Sequence, residues 1–342
     1  MNTATAPRVA VRMLGGTIAM AAPEPGSAAE PVEDVHGLVD AIPELRRRAS
    51  VDISVLRRLP SASLKIVDVL RLTTDLAEAC RAGARGVVAT LGTDTMEEVA
   101  FLLDRLWTRD EPVVLTGAMR TADAAGADGP ANLLAAVTVS ADPASAGRGA
   151  LVVMNDEVHR AEAVRKMHTT NPAAFGSPGA GPVGHVAEGA VHFFAQASRR
   201  AALRVDVGAD PGTLPSVALL KLGLGAETSL LEYAVSSCDA LVVEAFGVGH
   251  VPSWWVDPLT EAARAIPVVL ASRIGTGPVL RHTYGFPGSE QQLLSAGLLS
   301  AGRLDGLKAR LLMTLALLAA DDPAEATALF EAQTACTEEA QA

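Results

Sequence analysis

Short, largely apolar runs alternate along this chain with longer segments whose apolar residues return at helical spacing. The runs are Val9–Leu14, Gly86–Thr90, Pro112–Thr116, Leu151–Met154, Val217–Leu220, Ala240–Val243 and Pro267–Ala271. The helical segments are Leu64–Cys80, Met96–Arg105, Ala131–Ala141, Thr228–Ser237 and Pro258–Ala265. A strand that is apolar end to end is buried on both faces, and strands of that kind belong to parallel sheets covered by helices. The pattern predicts an α/β protein. At 342 residues the chain exceeds what one hydrophobic core usually serves, so two domains are expected. A stretch mixing Ala, Arg, Asp, Gly and Pro divides them: residues 1–196 form an N-terminal domain, 197–214 a linker, and 215–342 a C-terminal domain.

Charge and cysteine usage exclude several classes. The 28 basic residues are outnumbered by 39 acidic ones, a net charge of −11, and Arg46–Arg48 is the densest basic run. A nucleic-acid binder needs a clustered basic face, so nucleic acid is not an expected partner. Cys80, Cys238 and Cys336 form no CxxC pair and no disulfide framework, which fits a reducing compartment. Leu311–Ala320, the most apolar late stretch, is about half the ~20 residues a bilayer requires, so no membrane partner is expected. With no basic and apolar leader at the start, the expected location is the cytoplasm.

Ligands of open α/β sheets bind beyond the carboxyl ends of strands. Three such ends carry glycine and hydroxyl chemistry: Leu14-Gly15-Gly16-Thr17-Ile18-Ala19, Thr90-Leu91-Gly92-Thr93-Asp94-Thr95-Met96-Glu97-Glu98, and Thr116-Gly117-Ala118-Met119-Arg120 with Asp128-Gly129-Pro130-Ala131-Asn132 after it. Each has a structural explanation. Gly15 and Gly16 make a tight strand exit, Thr17 caps a turn, and Thr93 or Asp94 caps a helix whose first turn Glu97 and Glu98 support. Their conjunction points instead to one pocket in which backbone N–H groups hold an oxyanion.

A fourth segment reads Val152-Val153-Met154-Asn155-Asp156-Glu157-Val158-His159, followed by Arg165-Lys166-Met167-His168-Thr169-Thr170-Asn171. A lysine becomes a base when burial or neighbouring cations lower its pKa, and Arg165 and His168 flank Lys166. Taken alone, Lys166 reads more often as a solvated surface residue. The histidines show no metal-ligand spacing, so neither a metal nor another cofactor is expected.

These motifs resemble the bacterial-type L-asparaginase/glutaminase family, the threonine amidohydrolases. The matching segments are Gly15–Ala19, Leu91–Glu98, Pro112–Arg120, Asp128–Val137 and Val152–His159, with weaker matches at Arg165–Asn171, Phe175–Gly184 and Tyr284–Phe286. The resemblance implies a larger N-terminal α/β domain with a mostly parallel mixed sheet and a smaller, parallel C-terminal α/β domain. It also implies hydrolysis of L-asparagine to L-aspartate and ammonia through a threonine acyl-enzyme. Thr17 then matches the nucleophile near a lid, and Thr93, Asp94 and Lys166 match a second catalytic cluster. Ser61 matches the serine holding the substrate α-carboxylate, and Ala118 the residue whose carbonyl meets the substrate amide. Gly16, Gly92, Thr93 and Asp94 complete the substrate-binding set. The implied assembly is a homodimer or homotetramer with active sites at an intimate dimer interface. Trp254 and Trp255 are either anchors of such an interface or caps of the C-terminal core.

Four positions depart from the family pattern. The lid segment Ala21–Asp34 holds no tyrosine, and Ala62 stands where the family has glutamine. His250 replaces the asparagine that a neighbouring subunit contributes to substrate binding, and Ile274–Thr283 contains no acid where a glutamate is usual. Glu24, Ser27, Glu30, Glu33 and Arg281 are candidate substitutes. The lost contacts serve nucleophile activation and recognition of the substrate's charged ends. They predict a weak, high-KM asparaginase. The alternatives are hydrolysis of a related amide (L-glutamine, D-asparagine or a β-aspartyl amide) and an inactive relative that binds aspartate or asparagine.

Overall fold

The computed structural model describes residues 6–21, 27–28, 30–31, 42–196, 199–205 and 214–335. Most of the lid segment 21–34, including Glu24 and Glu33, lies outside them, as do Cys336 and residues 197–198 and 206–213 of the expected linker. The chain divides into two compact units, Met1–Ala202 and Leu203–Ala342.

The first unit is built on an eight-stranded sheet. Its strands in chain order begin with β1 (Arg8–Met13); β2 (Met20–Ala21) and β3 (Glu30–Pro31) form a separate small ladder. Then come β4 (Ser50–Val55), β5 (Gly86–Thr90), β6 (Val113–Thr116), β7 (Ala150–Met154) and β8 (Glu157–Arg160). β9 (Arg165–Lys166) and β10 (Phe175–Gly176) pair with each other, and β11 (Gly184–Ala187) and β12 (Ala190–Phe193) complete the set. The sheet order is β12-β11-β8-β7-β6-β5-β1-β4. β4 through β7 run parallel to one another, and β8, β11 and β12 add an antiparallel edge.

Strands β5 and β7 read as apolar runs because both of their faces are covered. All five residues of β5 and of β7 are buried. On one face Val9, Val11 and Met13 of β1 pack with Leu133, Ala136 and Val137 of helix Gly129–Ala141. The intervening Arg12 points the other way, where its guanidinium meets Asp75 of helix Ile66–Arg81 at 2.6 Å. A four-residue helix, α1 (Leu45–Arg48), precedes these two, which become α2 (Ile66–Arg81) and, after α3 (Met96–Leu106), α4 (Gly129–Ala141).

The second unit is a four-stranded parallel sheet in the order β13 (Val217–Lys221), β14 (Ala240–Ala245), β15 (Val268–Ser272), β16 (Leu299–Ser300). Helices α5 (Ser229–Ser237), α6 (Val256–Ala265) and α7 (Glu290–Ser295) supply Leu231, Ala234, Leu259 and Leu293 to a core with Leu241, Val243 and Leu270. Trp255 is 1% exposed in that core, so it is a core residue; Trp254 is 56% exposed. Both indole N–H groups donate to the Ala226 carbonyl, at 2.9 and 3.0 Å. The apolar stretch from Leu311 ends helix α8 (Gly306–Ala319), which packs on β13, β14 and β15 and precedes α9 (Pro323–Thr334). Its apolarity reflects the burial of Leu311, Leu312 and Leu315 where the helix covers those strands. Among the described residues no helix is long and apolar enough to cross a membrane.

Candidate active site

Four strand exits converge in the first unit because glycines let their backbones touch. β1 leads into a short 3-10 turn, Thr17–Ala19, through Gly15 and Gly16 at φ 106° and 90°. A side chain on Gly16 would overlap the Gly92 nitrogen and the Leu91 carbonyl carbon. A Cβ on Gly92 would sit 2.5 Å from Ser61 Oγ. Backbone bonds zip the exits together: Leu14 N donates to Thr90 O at 2.9 Å, Leu91 N to Thr116 O at 3.1 Å, and Leu59 N to Leu14 O at 3.1 Å. The structure therefore gathers Gly16, Thr17, Ser61, Gly92 and Thr93 where the sequence motifs placed them on separate loops.

Lys166 reaches this junction from β9. Its Nζ donates to Thr93 Oγ1 at 2.8 Å and to Asp94 Oδ1 at 2.9 Å. The strand is held from two sides: Phe175 of β10 pairs with Lys166, and the Lys166 backbone N–H donates to Glu97 Oε2 at 2.7 Å. Thr93 is buried, whereas the Asp94 carboxylate is 63% exposed and open to a charged ligand.

Two sequence readings need correcting here. Thr95, rather than Thr93 or Asp94, occupies the N-cap of α3, and its hydroxyl donates to Ser61 O at 3.0 Å. Thr93 and Asp94 are thereby freed for Lys166. His168 was expected to bear on Lys166 as a flanking cation; its Nδ1 instead accepts the N–H groups of Thr170 and Asn171, each at 3.0 Å. The charged partner recorded at Nζ is a carboxylate.

Ser61 is 2% exposed and its hydroxyl has no hydrogen-bond partner among the described residues. Burying an unpaired hydroxyl costs about 1–3 kcal/mol, so this group marks a place where a ligand atom belongs. The Thr17 hydroxyl and the N–H groups of Gly92 and Thr93 likewise take no partner among the described residues.

Sequence reasoning missed the residues that hold Ala118. The Asp128 carboxylate accepts the Met119 N–H at 2.9 Å and the Arg120 N–H at 2.9 Å. Asn132 Nδ2 donates to Gly117 O at 3.0 Å and to Asp128 Oδ2 at 3.1 Å, while its Oδ1 accepts Asn155 N at 2.9 Å. The signal was present: an Asp just ahead of a Gly-Pro helix start reads as a cap, yet this one makes no capping bond to its own helix.

His250 lies in the second unit, after the carboxyl end of β14. Its Nε2 faces Glu290 Oε2 at 3.2 Å, and its ring meets Tyr284 and Phe286 edgewise with centroids 4.9 and 4.8 Å away. Glu290, the first residue of α7, is fully buried; Thr283 and Tyr284 both donate their N–H groups to its Oε1 at 3.0 Å. An acid thus serves the segment whose own residues, 274–283, contain none.

The family model "Asparaginase, N-terminal" matches residues 8–199, and "Glutaminase/Asparaginase C-terminal domain" matches residues 216–330. A protein of Deinococcus radiodurans described as "Probable L-asparaginase" is 37% identical over 322 residues, 92% of this chain and 94% of its own length. L-asparaginase 2 of Escherichia coli K12 is 32% identical over 95% of this chain and 92% of its own. The crystal structure of a "Probable Cytoplasmic L-asparaginase" from Campylobacter jejuni superposes with a TM-score of 0.82 at 31% identity, covering 95% of this chain and 99% of that one. By sequence motif, by fold and by both of its units, this chain belongs to the asparaginase family.

Proposed function

We propose that the protein is an L-asparagine amidohydrolase, releasing L-aspartate and ammonia through a threonine acyl-enzyme. Thr17 Oγ1 attacks the side-chain amide carbon, the tetrahedral intermediate expels ammonia, and water then cleaves the ester. The observation that carries this reading is the 2.8 Å hydrogen bond from Lys166 Nζ to Thr93 Oγ1 beside Asp94. A hydroxyl is a weak nucleophile and a weak acid, and a positioned amine beside it eases proton movement in either direction. Asp94, being exposed and anionic, pairs with the substrate ammonium group. Ser61, whose hydroxyl is unpaired among the described residues, donates to the substrate α-carboxylate. Backbone N–H groups around Gly16, Gly92 and Thr93 hold the oxyanion, an effect worth about 3–4 kcal/mol per donor in other amide-cleaving sites. The Ala118 carbonyl, fixed by Asp128 and Asn132, accepts from the substrate amide.

The working form is a homodimer or homotetramer in which a partner subunit supplies His250 to the site. The cytoplasm is the proposed location, supported by the free thiols of Cys80 and Cys238. Ala62 and the tyrosine-free lid segment support a high KM. Ammonia release from L-asparagine, measured up to high millimolar with L-glutamine alongside, tests the proposal. Saturable release that Thr93→Ala abolishes is the expected result. No release at any concentration, or full release by Thr93→Ala, would overturn it, and a clear preference for glutamine would replace the substrate.

A further inference from the structure

We propose that His159 is a positioning residue for Lys166: its hydrogen bond to Ser177 closes the base of the loop that carries the lysine and so fixes where the amine stands against Thr93. The inference rests on the amidohydrolase reading, which gives Lys166 its chemical task. His159 and Ser177 are 18 residues apart, and β9 and β10 both lie between them. The Ser177 hydroxyl meets His159 Nδ1 at 3.1 Å, with the ring fully buried and the serine 7% exposed.

The loop needs such a closure. β9 and β10 are two residues each, joined by the Lys166–Phe175 and Arg165–Gly176 pairs and by the Met167 N–H, which donates to the Ala174 carbonyl at 2.6 Å. An isolated two-stranded ladder is marginal at any length, so this one takes its place from what it is tied to. Ser177 directly follows Gly176, and its carbonyl accepts the N–H groups of Ala180 and Gly181 at 3.0 and 2.8 Å, which sets the serine in a closed turn. His159 belongs to the main sheet, where it pairs with Val152 of β7. The bond therefore ties the end of β10 to the eight-stranded sheet, and β10 in turn sets β9 and the lysine on it.

Desolvation keeps the ring neutral, with its pKa pushed down to about 4. The Glu157 carboxylate, 3.3 Å from Nε2, favours the ring proton on that side, so Nδ1 carries the lone pair and the Ser177 hydroxyl donates to it. Val164, Ala174 and Phe175 are buried and hold the same loop by apolar contact. Apolar contact is non-directional, whereas a hydrogen bond restricts both distance and angle. Loss of the latch should thus leave the loop folded and the amine misplaced. A bond serving stability alone would lower the melting temperature and leave turnover by the folded enzyme unchanged.

Ammonia release by the full-length protein separates the two roles. His159→Leu and Ser177→Ala are each expected to lower kcat about tenfold, since a displacement of about 1 Å can cost up to 100-fold and Glu97 still restrains Lys166. KM should stay within about threefold, because Ser61 and Ala118 are held by other contacts. The double variant should be no slower than either single one, and His159→Asn, which puts a polar atom where Nδ1 stands, should keep at least half the wild-type kcat. In a Lys166→Met background, His159→Leu should slow the residual rate no further. If His159→Leu fails to fold, Ser177→Ala decides the question. Unchanged kcat in Ser177→Ala, additive losses, His159→Asn no better than His159→Leu, or a further tenfold loss on Lys166→Met would overturn the inference. Wild-type protein that releases no ammonia from any amide would overturn the amidohydrolase reading alone. The crystal structure of Ser177→Ala then decides the inference: a Lys166 Nζ to Thr93 Oγ1 distance beyond hydrogen-bond reach supports it, and one kept at 2.8 Å overturns it.

Discussion

Lys166 Nζ and Thr93 Oγ1 meet at 2.8 Å across 73 residues of sequence. Two independent restraints set that distance: the β9–β10 ladder on one side of Lys166, and the Glu97 carboxylate on its backbone N–H. Replacing the amine should therefore disturb chemistry more than fold. Lys166→Met is expected to lower kcat by about 100-fold or more, the usual range for losing a proton-transfer group. Its thermal unfolding should stay within a few degrees of wild type. The check is ammonia release at saturating asparagine alongside a circular-dichroism melt.

Asp128→Ala removes the acceptor for two backbone N–H groups and for Asn132 at once. Hydrogen bonds to charged groups contribute about 1.5–3 kcal/mol each in net terms, and these are coupled. A loss of about 2–4 kcal/mol is expected in urea unfolding, because part of the loop is exposed and regains water. Activity should fall as well, since the Ala118 carbonyl is aimed by this pin.

His159 supplies the pH dependence. The ring is fully buried in β8, its Nδ1 lies 3.1 Å from Ser177 Oγ, and desolvation pushes its pKa down to about 4. In the unfolded chain it titrates near the ordinary 6.5. Between those values the unfolded state binds the extra proton, so stability falls as pH drops from about 6.5 and levels off below about 4. The whole limb amounts to about 3 kcal/mol. His159→Gln should flatten it, whatever the variant's stability at neutral pH, and urea midpoints at intervals between pH 7 and 4 would show this.

The central strands and helices are legible in the sequence because burial on both faces leaves a continuous apolar run, and one-sided burial leaves a helical period. β5 spans Gly86–Thr90 as its run predicts, and α2 differs from the expected Leu64–Cys80 only at its ends. The strands that went unread are those where this logic weakens. β4 lies at the sheet edge and is only partly buried, and β11 and β12 form an outer hairpin whose residues are mostly half-exposed. β4 does alternate, with Val51, Ile53 and Val55 against the core and Ser50, Asp52 and Ser54 between them, a two-residue signal that a search for apolar runs passes over. Trp254 and Trp255 make the same point at the scale of one bond: adjacent, chemically alike, one exposed and one in the core.

By itself the sequence determined the alternation of the fold, the glycine and threonine strand exits, and the family to which those motifs belong. These are local properties, written in neighbouring residues. Only the tertiary structure decided that Thr95 rather than Thr93 caps α3, that Asp128 holds the Met119 and Arg120 amides, and that Glu290 stands behind His250. Each of those roles depends on which distant backbone or side chain comes within about 3 Å, the range over which a hydrogen bond acts. Helix and strand periods record which face is buried and carry no trace of such pairings. The partner is chosen when a sheet brings its own strand ends side by side.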